Sequence, residues 1–237
     1  MKSGEIIRKA IQPYQPNELI FSSALYKKEL SQTISEAAFY KSLERMCKSG
    51  ELMKISKGTY HKPKQTKYGV VPPNEKEIVS AFIENGFGME IGYTLYNRLK
   101  LTTQIGKNVN LLSSALEGFT KTIRNIQIEK VELHFTEEIK SMVEGLEVFK
   151  NYYEIQDLNP SAFLKYSEKF AKAFNNDAFD EVINKIKYPK STIAFTSEVL
   201  EFYNVNNNLN RHLSMLSNYK HPKMEEIYET ARTENGI

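Results

Sequence analysis

FYKSLERMCKSGELMKISKGTYHKPK, residues 39–64, decides how the chain is read. It holds seven Lys or Arg and two acidic residues, Glu44 and Glu51, with the positives threaded between Leu43, Met46, Leu52, Ile55 and Tyr60. Phe39, Leu43 and Met46 recur at i, i+4 and i+7, the spacing that lines one side of an α-helix. Ser35 stands where a hydroxyl accepts from first-turn amides. Gly50 stands where a helix stops in a left-handed cap, with Lys48 in the last turn opposing the dipole. Met53 and Ile55 then alternate with Leu52 and Lys54, SKG makes a tight corner, and TYHK returns as the second strand of a hairpin. With Phe39, Leu43 and Met46 buried, the opposite helix face shows Ala37, Tyr40, Lys41, Glu44 and Lys48, with Arg45 at the flank. The hairpin presents Lys54, Lys57, His61, Lys62 and Lys64.

Upstream, Ile6, Ile7, Ala10 and Ile11 give a helix that Pro13 ends, and Pro13 and Pro16 bracket a turn before the short apolar stretch LIF. Ser22 or Ser23 caps a second short helix through Leu25 and Tyr26, and KKELSQT reads as a turn. Helix, short helix, helix, two-stranded hairpin is the order of a winged helix-turn-helix. Ser35 and the small Ala37 open the third helix, where a slim N-terminal end approaches base edges in the major groove. Tyr40 and Lys41 are placed to reach bases or phosphates there. Arg45 contacts phosphate or ties the helix to the wing. Lys48 and the wing residues Lys54, Lys57, Lys62 and Lys64 follow the backbone, contacts that position a protein rather than read sequence. The plainer alternatives are lysines that only keep a helix-hairpin soluble, and a winged helix that binds protein.

The charge distribution favours a polyanion partner for the head. Residues 1–72 carry 13 Lys and Arg against 6 Asp and Glu, and the rest of the 237-residue chain carries 19 against 23. A basic head on a mildly acidic body points to nucleic acid for the head alone. The length suits two domains. We expect an α+β chain: a winged helix-turn-helix over 1–68, then 69–237, mixed α/β over 69–135 and mainly helical over 136–237. The seam lies at TKYGVVPP. Asn74 with Glu77 resembles a capping box opening a helix. MEI and VNLLSS read as strands and YTLYNRL as a compact helix. Ile126 and Ile128 alternate, then Val131, Leu133 and Phe135 do so in the opposite parity, which implies a turn or bulge near Glu129–Lys130. A helical stripe runs from Ile139 through Met142, Val143, Leu146 and Phe149 to Tyr153. Further helices are expected after Asn159–Pro160, around Phe179 and Val182, over Val199–Tyr203, over Leu209–Leu216, and through Met224, Ile227 and Tyr228. The charged N-terminus does not read as a signal peptide, no apolar run suits a membrane helix, and the single Cys47 fits a reducing cytoplasm.

No catalytic constellation emerges. His61, His134, His212 and His221 are scattered without zinc spacing, and Cys47 reads as a core or boundary thiol. NGFGMEIG has the wrong spacing for a dinucleotide fingerprint and reads as turn chemistry. Glu137–Glu138 and Glu225–Glu226 sit at expected helix starts, where acids complement the dipole, and Asp180–Glu181 reads as an exposed face. The expectation is a chain without enzyme activity, cofactor or metal.

SLERMCKSGELMKISKGTYHKPK resembles the recognition helix and wing of AbiEi-type antitoxins, in which a basic helix runs through a Gly turn into a hairpin ending Gly-x-Tyr. YGVVPPNEKEIVSAF resembles that family's Pro-containing approach to a helix. GYTLYNRLKLTTQIGKNVNLLSSALEGFTKTIRNIQIEKVEL resembles its central block: a short helix, a Leu-Thr-Thr-Gln turn, a strand ending in Ser and a basic strand. The likeness is collinear over about residues 1–150. It implies an antitoxin of an abortive-infection toxin–antitoxin pair. The winged helix would bind double-stranded operator DNA and repress its own operon, with a dimer on repeated half-sites as one arrangement. The C-terminal domain would counteract a neighbouring nucleotidyltransferase toxin, by direct contact or without a stable complex. The resemblance carries DNA binding onto Tyr40, Lys41, Arg45, Lys48, Lys54 and Lys57, and no catalytic role onto any residue. If the toxin is contacted, the acids of 137–181 would complement a basic partner. Two other readings stand beside it: a free-standing winged-helix regulator with a ligand-sensing C-terminal domain, and an enzyme or nuclease accessory subunit.

Overall fold

Pro13 stops the first helix, α1 (Ser3–Ile11), after Ile7 and Ile11 have turned one face inward. The computed structural model describes residues 3–116, 118–214 and 216–234. They form an α+β chain of two units, 1–82 and 83–237.

In the first unit β1 (Leu19–Phe21) leads directly into α2 (Ser22–Leu25), which continues as a π-helical turn over Tyr26–Leu30. The stretch expected to turn at KKELSQT is therefore helical at its start. Leu30 is drawn into the core, and the Tyr26 hydroxyl donates to the Ile34 carbonyl at 3.0 Å. α3 (Glu36–Lys48) follows, then β2 (Met53–Ser56) and β3 (Thr59–His61). β3 is the central strand of a three-stranded antiparallel sheet, order β1-β3-β2, with His61 opposite both Leu19 and Met53. Ile7, Ile11, Ile20, Leu25, Leu30, Phe39, Leu43, Met46, Leu52 and Tyr60 make this unit's core.

A second ribbon, β4 (Lys64–Thr66) and β5 (Gly69–Val71), occupies the expected seam, with every strand residue exposed. Asn74 and Glu77 close the capping box of α4 (Glu75–Ile83) reciprocally: the Asn74 amide donates to Glu77 Oε2 at 2.7 Å and the Glu77 amide to Asn74 Oδ1 at 2.9 Å. The division between units falls after Phe82, whose ring meets Phe21 edge-on at 5.0 Å.

The second unit begins with β6 (Gly88–Ile91), α5 (Tyr93–Arg98), β7 (Val109–Ser113), β8 (Thr120–Ile123) and β9 (Ile126–Lys130). The sheet order is β6-β7-β9-β8, with β7 and β9 parallel and the other pairs antiparallel. No turn or bulge accompanies the parity switch near Glu129–Lys130. The ladder ends at Lys130, and the chain leaves the sheet in extended form, burying Val131, Leu133 and Phe135.

Among the described residues α6 (Glu137–Lys150), α7 (Pro160–Lys172), α8 (Asn176–Lys185), α9 (Lys190–Phe202) and α10 (Met224–Glu234) complete the unit. Thr136, Asn159 and Asn175 cap the first three through side-chain oxygens that accept from backbone amides. Phe149 is the hub of their packing, with ring centroids 5.1 Å from Phe170 and 5.3 Å from Phe195. Three helical expectations are corrected. Tyr153 leaves the α6 stripe for an exposed 3-10 turn. α9 starts at Lys190, nine residues before the expected Val199. The span expected over Leu209–Leu216 is a 3-10 turn at Leu209–His212, with Leu216 fully exposed and Met215 outside the described residues. Among the described residues no helix is long and apolar enough to cross a membrane.

α6 and α7 approach through Gly145: a Cβ there would lie 2.2 Å from Phe170 Cε2, deep inside van der Waals contact. Gly145→Ala gains about 1 kcal/mol of helix propensity but forces an overpacked core costing about 1–3 kcal/mol. A lower melting temperature is expected in thermal denaturation; a rise would show that the helices do not meet this closely.

Candidate nucleic-acid interface

The recognition of any polyanion by the first unit depends on what α3 leaves uncovered. Ser35 sits in an extended conformation and its hydroxyl accepts from the Ala38 amide at 3.4 Å, so the helix starts where the sequence places it. Phe39, Ser42, Leu43 and Met46 turn inward. Ala37, Tyr40, Lys41, Glu44, Arg45 and Lys48 remain exposed on the opposite face, together with Ser35 at the N-cap. The Tyr40 ring is braced edge-on against Phe39, centroids 5.2 Å apart. Lys41 and Arg45 line a cavity of about 850 Å³ between α1 and α3. Arg45 makes no ion pair with the β2–β3 ribbon among the described residues, so its side chain belongs to the helix groove rather than to a helix–wing tie.

The β2–β3 ribbon runs beside the C-terminal half of α3. The Leu52 amide ahead of β2 donates to the Met46 carbonyl at 3.1 Å, and Met46, Leu52 and Tyr60 share one core. Lys54 and Lys57 are exposed, as is Lys64 on β4. Two expected contacts are corrected. His61 is 2% exposed because it lies on the central strand, and its Nδ1 is 3.0 Å from the Lys62 carbonyl. Lys62 is half-buried and donates to the Gln12 and Tyr14 carbonyls, both at 2.7 Å, so its ammonium ties the segment after α1 to the sheet. The sequence reading missed Lys67 and Tyr68 at the tip of the second ribbon. Tyr68 is 88% exposed, with the Lys67 ammonium 4.9 Å from its ring centre. The Lys-Tyr-Gly turn ahead of Val70 and Val71 was the available signal.

Both acids of the basic stretch are answered locally. Glu44 pairs with Lys48 at 2.7 Å, and that hydrogen bond lowers its carboxyl. Glu51 takes a two-pronged contact from Arg8, at 2.7 and 2.9 Å, plus the Ser49 hydroxyl at 2.9 Å, and these hold its carboxyl down to about 2. Lys41, Arg45 and Lys54 have no carboxylate within ion-pair distance among the described residues. A cationic surface of this kind attracts a polyanion, and its small Ala37 and rigid Tyr40 leave room for close approach.

The second unit holds the acids considered earlier. Glu137–Glu138 and Glu225–Glu226 begin α6 and α10. Asp180 accepts from Arg211 and, at 3.0 Å, from His212, which makes it a tie between α8 and the 3-10 turn rather than a solvated face. Much of the acidity of 137–181 is internally neutralised in the same way: Glu137 by Lys140, Glu144 by Arg98 and Glu168 by Lys172. Glu147 is buried. Among the described residues no three His, Cys, Asp or Glu are grouped to hold a metal ion.

The model of a family of unknown function, DUF6088, matches residues 8–146. The crystal structure of RV2827C protein from Mycobacterium tuberculosis is similar at 8% identity and a TM-score of 0.37, over 85% of this chain and 77% of that one, a likeness too low to bear on function. No curated protein matches.

Proposed function

Since the chain belongs to the DUF6088 family, matched over residues 8–146, we propose from its own residues that it is a DNA-binding antitoxin of the AbiEi type. In this reading the first unit is a winged helix-turn-helix: α3 is the recognition helix, the β2–β3 ribbon is the wing, and the β4–β5 ribbon is a second basic arm. The protein acts in the cytoplasm, represses its own operon through double-stranded operator DNA, and counteracts a nucleotidyltransferase toxin through the second unit. The observation that carries the reading is the exposed α3 face, with Ala37, Tyr40, Lys41, Arg45 and Lys48, which a backbone hydrogen bond from Leu52 to Met46 joins to a ribbon whose Lys54 and Lys57 are also exposed. Lys62 and His61 are left out of the contact set for the reasons above. Phosphate contacts from these residues set register and orientation, and Tyr40 with the first turn of α3 is placed for base edges.

The antitoxin half is tested by co-expression with the gene next to it. Rescue of growth from a toxic nucleotidyltransferase is the expected result. A neighbour that is not toxic, or growth arrest that persists with the full chain present, removes the antitoxin assignment while leaving DNA binding to be judged separately.

A further inference from the structure

Outside the cationic head, the second unit gathers positive charge in one place. Arg98 and Lys100 at the end of α5, Lys140 on α6, and Lys165 and Lys169 on α7 line a cavity of about 970 Å³ between α6 and α7. Two carboxylates share the lining. Glu144 answers Arg98 at 2.8 Å and Glu137 answers Lys140 at 2.8 Å, one turn away on the same helix. Lys100, Lys165 and Lys169 have no carboxylate within ion-pair distance among the described residues. Lys165 and Lys169 are one turn apart on α7, where like charges repel. Their surroundings make the cluster more conspicuous, since residues 73–237 carry 19 Lys and Arg against 23 Asp and Glu.

Besides the cations and carboxylates, the lining is mixed, with Ser141, Asn159 and Ser161 among apolar side chains. Tyr166 and Phe170 lie within it, and burial raises the Tyr166 hydroxyl well above its ordinary range. Leu99, Ala162 and Ala173 supply the apolar part, and Ser141 is also in the lining. Unpaired cations together with exposed apolar side chains in one cavity suit a ligand with a multiply charged end and a flat neutral end. The volume is on the scale of small-molecule sites, about 300–1,000 Å³. A duplex, being convex, would touch only the rim.

We propose that this cavity binds a nucleoside polyphosphate, with Lys100, Lys165 and Lys169 holding the phosphate chain and the nucleoside lying against Leu99, Ala162 and Ala173. The site draws on residues of the second unit alone and stands whether or not the head binds DNA.

The test is calorimetric titration of the full chain with ATP, GTP and inorganic triphosphate, at constant ionic strength. One nucleotide is expected to bind with a Kd of about micromolar order and to raise the melting temperature by mass action. Lys165→Gln/Lys169→Gln, both exposed positions, is expected to weaken that binding by at least about tenfold. Lys100→Gln, on a different element, is expected to weaken it in the same direction, so a folding defect in one variant does not decide the matter. Lys41→Gln/Arg45→Gln in the head is expected to leave nucleotide affinity unchanged. Absence of saturation by about 1 mM nucleotide, or affinity indifferent to all three cavity lysines, overturns the proposal. Inorganic triphosphate binding as tightly as either nucleotide overturns the nucleoside assignment. Capture of an acidic peptide or duplex that ATP fails to displace also overturns it.

Discussion

Replacing Lys41, Arg45 and Lys54 together with glutamine is expected to weaken binding to duplex DNA by about a hundredfold at physiological salt. Each phosphate contact releases close to one condensed counterion, so three lost contacts flatten the dependence of log affinity on log salt by about 2.7. The three residues are exposed, make no ion pairs among the described residues, and lie outside the core of the first unit. The fold should therefore survive, and circular dichroism and melting should be close to the wild type. Lys62→Gln provides the contrast. Its ammonium is engaged by the Gln12 and Tyr14 carbonyls, so its loss should lower stability and leave the salt dependence alone. Equal effects of Lys62 and Lys54 on the salt dependence would show that the ribbon's charges are arranged differently.

Phe195→Ala should be the most destabilising single change in the second unit. Phe195 is 1% exposed and meets Phe149, Phe163 and Tyr152, with its ring also stacked on His221. Truncating a core phenylalanine costs about 3–5 kcal/mol, as lost transfer energy plus a cavity that neighbours only partly fill. For a chain of this size that lowers the melting temperature by roughly 10 °C. The head has its own core, so duplex affinity should be retained below the transition. A melting temperature within about 2 °C of the wild type would mean that the aromatic cluster is not packed as described.

The parts of this architecture that show in the sequence are those whose causes are local. Ser35, the Phe39–Leu43–Met46 stripe and Gly50 define α3 within sixteen residues, and Asn74 with Glu77 define the start of α4 within four. Elements without a buried face left no such trace. The β4–β5 ribbon is exposed at every strand position, so no alternation marks it, and the π-helical turn at Tyr26–Leu30 was masked by the lysines ahead of Leu30. The fates of His61 and Lys62 depend on partners far along the chain: β1 for one, and carbonyls 48 and 50 residues away for the other. Counting charge in a window credits both to the surface. The cation-lined cavity was illegible for the same reason, since its residues come from three helices and the segments next to them, spread over 98–173. The acidic body, conversely, looked like a bare negative surface until its carboxylates found Arg98, Lys140, Lys172 and Arg211.

The central claim, a cationic head that grips duplex DNA, is tested most directly by measuring the affinity of the purified full chain for duplex across a range of salt concentrations. With about five phosphates neutralised, log affinity should fall against log salt with a slope near −4.5. A slope near zero, with the chain folded, would contradict it.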